Sequence, residues 1–145
     1  MLALLWRRPW FLVALVTAVL SADLLSLALR QWIGRERPPL VYPEPRPLVR
    51  LPDTGAFPSG HASAAFAGAT VLAWSSRRLA LPSYLLAAAI AWSRVYLGVH
   101  WPLDVLGGAL LGTLVGAVVV FLARRQRGTP PGAGLPPGDA TLQLF

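Results

Sequence analysis

The sequence contains no cysteine and no lysine, and only 13% of its 145 residues are charged. Without cysteine, the chain has no disulfide bonds, no thiolate catalysis and no metal site built from cysteine. Its two histidines, His61 and His100, are too few for a histidine-rich metal site, and we predict that the protein uses no metal and no cofactor. Soluble domains usually carry about 25% charged residues, so the scarcity of charge argues against a soluble protein.

The charged residues that are present give a net charge of +7, because 13 basic residues, all arginine, outnumber six acidic ones. A nucleic-acid-binding protein would carry such a charge as a basic stripe on a soluble face. Here the arginines stand at the ends of apolar runs, in a chain that is 55% hydrophobic. We therefore predict an integral membrane protein whose partners are membrane lipids and not nucleic acids.

Four apolar segments predict the fold class, an all-α bundle of four transmembrane helices at about residues 9–33, 60–78, 81–98 and 102–123. A helix needs about 20 residues to cross a bilayer, so the first and fourth segments are long enough. The second reaches that length only if Arg77 and Arg78 extend their side chains to the headgroups, and the third is also marginal. Together the segments define one transmembrane domain over residues 1–123.

The first segment has an alternative interpretation as a signal peptide, because Arg7 and Arg8 precede its apolar core and Ser21 and Ala22 offer a cleavage site. We favour a helix, since nothing after Ala22 looks like a mature secreted domain. Between residues 34 and 57, repeated prolines exclude a helix or a central strand and predict an outer loop that covers a site. The Gly- and Pro-rich residues 124–145 predict a disordered cytoplasmic tail.

The arginines also predict an orientation. With both termini in the cytoplasm, the inner helix ends carry Arg7, Arg8, Arg77, Arg78, Arg124, Arg125 and Arg127, and the outer side carries Arg30, Arg35, Arg37, Arg46, Arg50 and Arg94. The two sets differ little unless Arg30, Arg37 and Arg94 are held by a site, in which case the positive-inside rule favours this orientation. A bacterial inner membrane, with the active site on its outer face, is the location that we expect.

Small residues predict how the fourth helix packs. Gly108, Gly112 and Gly116 follow one another at steps of four, which allows close approach of a second helix in lipid. The alanine-rich second helix offers a matching surface. A homodimer through the same three glycines is the other interpretation, and the two can hold together.

Three clusters of polar residues lie on the same predicted side of the membrane: Arg30-x6-Arg37-Pro38, Pro58-Ser59-Gly60-His61, and Ser93-Arg94-x5-His100-x3-Asp104. Ser59 and Gly60 open a helix, whose free N–H groups favour an anion. Arg30, Arg37 and Arg94 suit a phosphate and its developing charge. In isolation each arginine is explained by snorkelling, but charged side chains at membrane depth are costly and usually functional.

The third cluster carries the candidate nucleophile. Asp104 lies four residues after His100, near the start of a helix, so its carboxylate can reach back to the imidazole. A carboxylate on one ring nitrogen fixes the tautomer and leaves the other nitrogen free to attack or to accept a proton. The plain alternative is a helix entrance with a hydrogen-bonded His and Asp.

These clusters resemble the signature of the type 2 phosphatidic acid phosphatase superfamily, which includes membrane lipid phosphatases and vanadium haloperoxidases. The second and third clusters match it at every specified residue, while Arg30 stands where the family has lysine. The resemblance implies a metal-independent phosphatase in which His100, oriented by Asp104, forms a phosphohistidine and His61 acts as acid and then base. It also implies that Arg30, Arg37, Ser59, Gly60 and Arg94 hold the phosphate.

The resemblance implies a lipid phosphate or diphosphate as substrate, with undecaprenyl diphosphate, phosphatidate and phosphatidylglycerol phosphate as candidates. Two alternatives stay open: a non-catalytic protein that binds lipid phosphates, and a structural membrane protein. Asp23 lies seven residues before Arg30 and thus on nearly the same helical face. It either supports that arginine or is a protonated carboxyl group within the bundle, and we favour the second.

Overall fold

A computed structural model describes residues 9–42, 44 and 48–128 of the chain. Arg7, Arg8, Arg46 and the predicted tail from residue 129 onward lie outside the described residues. Within them all regular secondary structure is helical, as predicted, in five helices: α1 (Pro9–Ile33), α2 (Pro38–Val41), α3 (Gly60–Ser75), α4 (Arg77–Tyr96) and α5 (Pro102–Gly128).

Three of these helices, α1, α4 and α5, are long and apolar enough to cross a membrane. Helix α3 has 16 residues, fewer than the roughly 20 that span a bilayer core. Large apolar side chains cover the outward faces of the long helices; Leu24 on α1, Leu86 on α4 and Leu110 on α5 are each more than 60% exposed. In a lipid environment such surfaces are solvated by acyl chains.

Several helix boundaries differ from the prediction. Helix α3 ends at Ser75 instead of residue 78, because Ser76 adopts an extended conformation (φ −157°, ψ 123°) and caps the helix through its N–H. Arg77 and Arg78 therefore begin α4 instead of ending α3. Helix α5 continues to Gly128, so residues 124–128 are helical and do not belong to a disordered tail.

The Pro-rich segment also contains a structure that we did not predict, the four-residue helix α2. Pro38 and Pro39 occupy its first two positions, where a missing N–H removes no helical hydrogen bond. The expectation that prolines exclude any helix between residues 34 and 57 was therefore wrong for this single turn.

Helix α3 is the centre of the bundle and packs against α1, α4 and α5. The glycines at 108, 112 and 116 of α5 face it so closely that a Cβ at Gly108 would lie 2.5 Å from the carbonyl oxygen of Ser59. A Cβ at Gly112 would overlap the carbonyl oxygen of Ser63. This glycine face is therefore occupied within the chain, and it does not serve the homodimer that we considered.

Helix α1 contributes to the same core. Ala14, Ala18 and Ala22 are buried in one cluster with residues of α3 and α5. The position considered for signal cleavage thus lies inside a continuous helix, with Ala22 completely buried, which favours the helical interpretation of this segment.

The turn between α4 and α5 carries the third polar cluster into place. Gly98 has φ +71°, and its N–H donates to the carbonyl of Val95 while the N–H of Val99 donates to that of Arg94. This pair of bonds is the Schellman arrangement, in which glycine at the left-handed position ends a helix. Its effect is to turn His100 away from α4 and towards the start of α5.

Candidate active site

A cavity of about 400 Å³ lies at the end of the bundle where α1 and α4 end and α3 and α5 begin. It is lined by residues from all three polar clusters, together with residues of the Pro-rich segment: Asp23, Leu27, Arg30, Arg37, Val49, Arg50, Pro52, Thr54, His61, Arg94, Val99 and His100. The structure thus brings both histidines and the three predicted phosphate-binding arginines to one pocket.

His100 is almost completely buried, with 5% of its surface exposed. Its Nε2 lies 3.5 Å from Nη1 of Arg37, and its Nδ1 lies 3.6 Å from Oδ2 of Asp104. A guanidinium group can only donate, so Nε2 is the acceptor in this contact and the proton belongs on Nδ1, facing the carboxylate. This tautomer leaves a lone pair on the nitrogen nearest the arginine.

Asp104 is fully buried, and each of its carboxylate oxygens has a hydrogen-bond donor. Oδ1 accepts from Nη1 of Arg35 at 2.9 Å, and Oδ2 accepts from the backbone N–H of Trp101 at 2.8 Å. The predicted link to His100 is present as a longer contact of 3.6 Å through the same Oδ2. Asp104 therefore faces His100, but its shorter hydrogen bonds are made elsewhere.

Arg37 is buried and donates to three backbone carbonyl groups. The acceptors are Thr54 at 3.1 Å, Val99 at 2.9 Å and Gly55 at 3.2 Å. Its guanidinium group consequently ties the Pro-rich segment to the residue that precedes His100. A side chain predicted to bind phosphate is here also part of the framework that shapes the cavity.

Arg30 approaches the start of α3. A Cβ added to Gly60 would overlap Nη1 of Arg30 and lie 3.1 Å from Oδ1 of Asp23, so both side chains lie against this glycine. Nε of Arg30 and Oγ of Ser59 are buried and make no hydrogen bond with the described residues. Two polar atoms near the head of α3 are thus left without a protein partner.

Ser59 is the N-cap residue of α3, as predicted, but its hydroxyl group makes no capping bond. Its backbone instead joins two clusters, because its N–H donates to the carbonyl of Asp104 at 2.9 Å. His61 follows on the first turn of α3, exposed and lining the cavity. Arg94 lies near the end of α4 and also lines the cavity. Its Nε donates to Oγ of Ser93 at 3.1 Å.

Two arginines of this region were not predicted as site residues. Arg35 pairs with Asp104, and Arg50 lines the cavity beside the signature arginines. Both belong to the Pro-rich segment, where spacing along the chain carries no information on which residues turn inward. Among the described residues, no group of three or more His, Asp or Glu side chains is arranged to hold a metal ion.

The family model described as the PAP2 superfamily matches residues 11–127. Among curated relatives, a putative undecaprenyl-diphosphatase, YbjG of Escherichia coli (strain K12), is 50% identical over 60 residues, which cover 41% of this chain and 30% of that protein. The chain covers between 30% and 60% of the length of the first four curated relatives that it matches.

Two solved structures are similar over most of the chain. LpxE of Aquifex aeolicus superposes with a TM-score of 0.74 at 31% identity, covering 83% of this chain and 73% of that one. A transmembrane PAP2 type phosphatidylglycerolphosphate phosphatase from Bacillus subtilis superposes with a TM-score of 0.70 at 28% identity, covering 85% and 64%. Together with the three long apolar helices, this likeness supports an integral membrane protein.

Proposed function

Because the chain belongs to the PAP2 superfamily, we propose that it is a membrane phosphatase that hydrolyses a lipid phosphate or diphosphate. The observation that carries this proposal is the cavity that His61, His100, Arg30, Arg37 and Arg94 line together. A binding protein needs cations for a phosphate, but it does not need a buried imidazole oriented towards a carboxylate.

The geometry supports a reaction in two steps. Nε2 of His100 attacks phosphorus and forms a P–N bond while the bond to the leaving oxygen breaks, and His61 gives that oxygen a proton. His61 then takes a proton from water, which attacks phosphorus, and the P–N bond breaks to release phosphate and free His100. Asp104 stabilises the proton on Nδ1 throughout.

The arginines and the head of α3 are proposed to hold the phosphoryl oxygens. Arg30 and Arg94 line the cavity from two helices, and guanidinium groups match phosphate geometry. Gly60 lies directly against Arg30 at the start of α3, where free backbone N–H groups favour an anion. The unpaired Oγ of Ser59 and Nε of Arg30 are donors that a bound phosphate would satisfy. Arg37 contributes its charge, while most of its donors are already used by carbonyl groups.

The groups that line the cavity suit a phosphate, and they do not select one lipid over another. Undecaprenyl diphosphate, phosphatidate and phosphatidylglycerol phosphate are the candidates, and the names of two similar proteins refer to the first and the third of these. We propose that the lipid tail stays in the bilayer, because the helix faces around the cavity are apolar and exposed.

We further propose four membrane crossings, with α3 as the short central one, both termini in the cytoplasm and the cavity on the outer face of a bacterial inner membrane. Helix α3 lies between three long apolar helices, which supports a crossing despite its length. The Pro-rich segment would then be the outer cover of the cavity, since Val49, Arg50, Pro52 and Thr54 line it.

Phosphate release tests the reaction. Full-length protein in detergent, without added metal, is incubated with each of the three candidate lipids, and binding of the same lipids is measured in parallel. Release that depends on His100 supports a phosphatase. Binding without phosphate release supports the non-catalytic binding protein. If the protein neither binds nor hydrolyses any of the lipids, the result supports the structural membrane protein.

Two histidine variants separate the proposed roles. His100→Ala should abolish turnover and the acid-labile phosphoenzyme, and an active variant would refute the nucleophile. His61→Ala should slow turnover while inorganic phosphate still binds, so loss of binding would contradict its role as acid and base.

The orientation is testable because the chain has no native cysteine. Asp53→Cys on the Pro-rich segment and Arg77→Cys at the start of α4 lie in exposed positions at the two ends of the bundle. A membrane-impermeant maleimide added to intact spheroplasts should label the first and not the second. The reverse pattern would place the cavity on the cytoplasmic face.

A further inference from the structure

Arg35, in the Pro-rich segment, makes a salt bridge with the carboxylate of Asp104 at the start of α5. Its Nη1 donates to Oδ1 at 2.9 Å, and 37% of the arginine side chain is exposed whereas that of Asp104 is fully buried. Arg35 occupies an unspecified position of the Arg30-x6-Arg37 cluster, so no motif assigns it a role. It also does not line the cavity that contains the histidines.

The two carboxylate oxygens of Asp104 have different partners. Oδ1 accepts a hydrogen bond from Arg35, while Oδ2 accepts one from the N–H of Trp101 and faces Nδ1 of His100. A carboxylate is planar, so a charged hydrogen bond on one oxygen restricts the direction of the other. Since a buried carboxylate without a partner is costly, the arginine also stabilises the folded site.

Arg35 is itself held in place. The carbonyl of Arg35 accepts from the N–H of Ala56 at 2.7 Å, and its guanidinium group lies 5.9 Å from the ring centroid of Trp101. The ring of Trp101 is fixed in turn by a hydrogen bond of 3.0 Å from Nε1 to the carbonyl of Glu36. The arginine therefore has a defined position beside the entrance of α5.

We propose that Arg35 is a positioning residue that acts through Asp104 to orient His100. This inference rests on the proposed function, in which His100 attacks phosphorus. Arg35 does not line the cavity that contains the two histidines, so its removal should weaken the nucleophile and leave substrate binding largely intact.

Kinetics of the full-length protein in detergent test the proposal with Arg35→Gln, Arg35→Lys and the control Arg77→Gln, which removes an exposed arginine far from the cavity. Losing a hydrogen bond between charged groups that supports the transition state corresponds to about a 10–100-fold fall in rate. We expect Arg35→Gln to lower kcat and the phosphoenzyme level by about that factor, while KM changes less than about twofold. Arg35→Lys should recover part of the lost activity, and Arg77→Gln should match the parent protein.

A double-mutant cycle identifies the route. Residues that act through one contact show non-additive effects, so Arg35→Gln should cost little further in an Asp104→Asn background, measured on the residual rate. Full additivity, an unchanged kcat, or a rise in KM at constant kcat would each overturn the proposal, the last by making Arg35 a substrate ligand.

A spectroscopic measurement keeps this inference separate from the phosphatase proposal. The chain has two histidines, so tag-free protein labelled with ¹⁵N-histidine gives signals from only His61 and His100. Arg35→Gln should shift the Nδ1 signal of His100 and leave that of His61 near its parent position, even if no lipid is hydrolysed; Arg35→Lys serves if the glutamine variant does not fold. An unchanged His100 signal in the folded variant would overturn the positioning role.

Discussion

The guanidinium group of Arg37 donates a hydrogen bond of 2.9 Å to the carbonyl oxygen of Val99, the residue directly before His100. The same group binds the carbonyls of Thr54 and Gly55. The predicted phosphate ligand therefore also fixes the backbone that carries the predicted nucleophile, and the two roles can be separated by substitution.

Arg37→Lys should lower both stability and activity. Lysine keeps the charge but cannot donate in the planar fork that reaches three carbonyl groups, and each buried carbonyl left unpaired costs about 1–3 kcal/mol. Arg94→Lys is the matched control, because among the described residues Nε of Arg94 donates to the neighbouring Ser93 and to no backbone carbonyl group. Thermal unfolding in detergent should show a lower Tm for Arg37→Lys than for Arg94→Lys, and equal values would contradict the framework role.

Gly60→Ala should weaken phosphate binding without unfolding the bundle. The added Cβ would overlap Nη1 of Arg30 and crowd Asp23, so the arginine must move, and its long side chain is able to do so. We expect the inhibition constant of inorganic phosphate to rise by about tenfold, which corresponds to about 1.4 kcal/mol.

The control for this substitution is Gly68→Ala on the same helix. Its Cβ would lie 3.5 Å from Cγ2 of Val19, an ordinary van der Waals distance. Phosphate inhibition of Gly68→Ala should match the parent protein. If both variants lose phosphate affinity equally, the effect belongs to the helix and not to the contact with Arg30.

Gly112→Ala should destabilise the bundle as a whole. Its Cβ would overlap the carbonyl oxygen of Ser63 and lie 3.0 Å from the backbone nitrogen of Ala67, and a backbone cannot move aside as a side chain does. Overpacking of this kind costs about 1–3 kcal/mol, so the Tm in detergent should fall by several degrees, whereas Gly68→Ala should leave it nearly unchanged. A parent-like Tm would show that the two helices separate easily.

Arg50→Gln should change the preference between substrates. Arg50 is exposed and lines the cavity beside the three signature arginines, so it adds a charge that a second phosphate group can use. We expect kcat/KM to fall by about tenfold, or about 1.4 kcal/mol, for undecaprenyl diphosphate and by much less for undecaprenyl phosphate. Equal losses on the two lipids would mean that Arg50 acts on the reacting phosphate or on the fold.

The sequence predicted the positions that are anchored to helix ends. His61 and Asp104 lie in the first turns of α3 and α5, Arg94 lies in the last turn of α4, and His100 lies in the turn that joins α4 to α5. Gly98, Pro102 and Ser59 mark these boundaries, so the approach of the four residues follows from the topology of the bundle. The all-helical fold followed from the length of the apolar segments, and the close contact between α3 and α5 followed from the spacing of the glycines.

The contacts of the Pro-rich segment could not be predicted. The partner of Arg35 depends on a reversal at Gly34, which has φ +62°, and on the hydrogen bond between Ala56 and Arg35 that closes the segment. These are long-range contacts without a local sequence pattern. For the same reason the end of α3 at Ser75 escaped prediction, because continuous apolar and arginine residues gave no sign of the extended serine.

The close contact between α3 and α5 has a consequence for the proposed reaction at the cavity. His61 lies on one helix and His100 just before the other, and glycine leaves no adjustable group to absorb a change in the clearance between them. In the proposed reaction, the distance between the two imidazoles is therefore set by backbone contacts of Gly108, Gly112 and Gly116 with α3. In that reaction, glycines that do not line the cavity determine whether His61 and His100 can act on the same phosphorus atom.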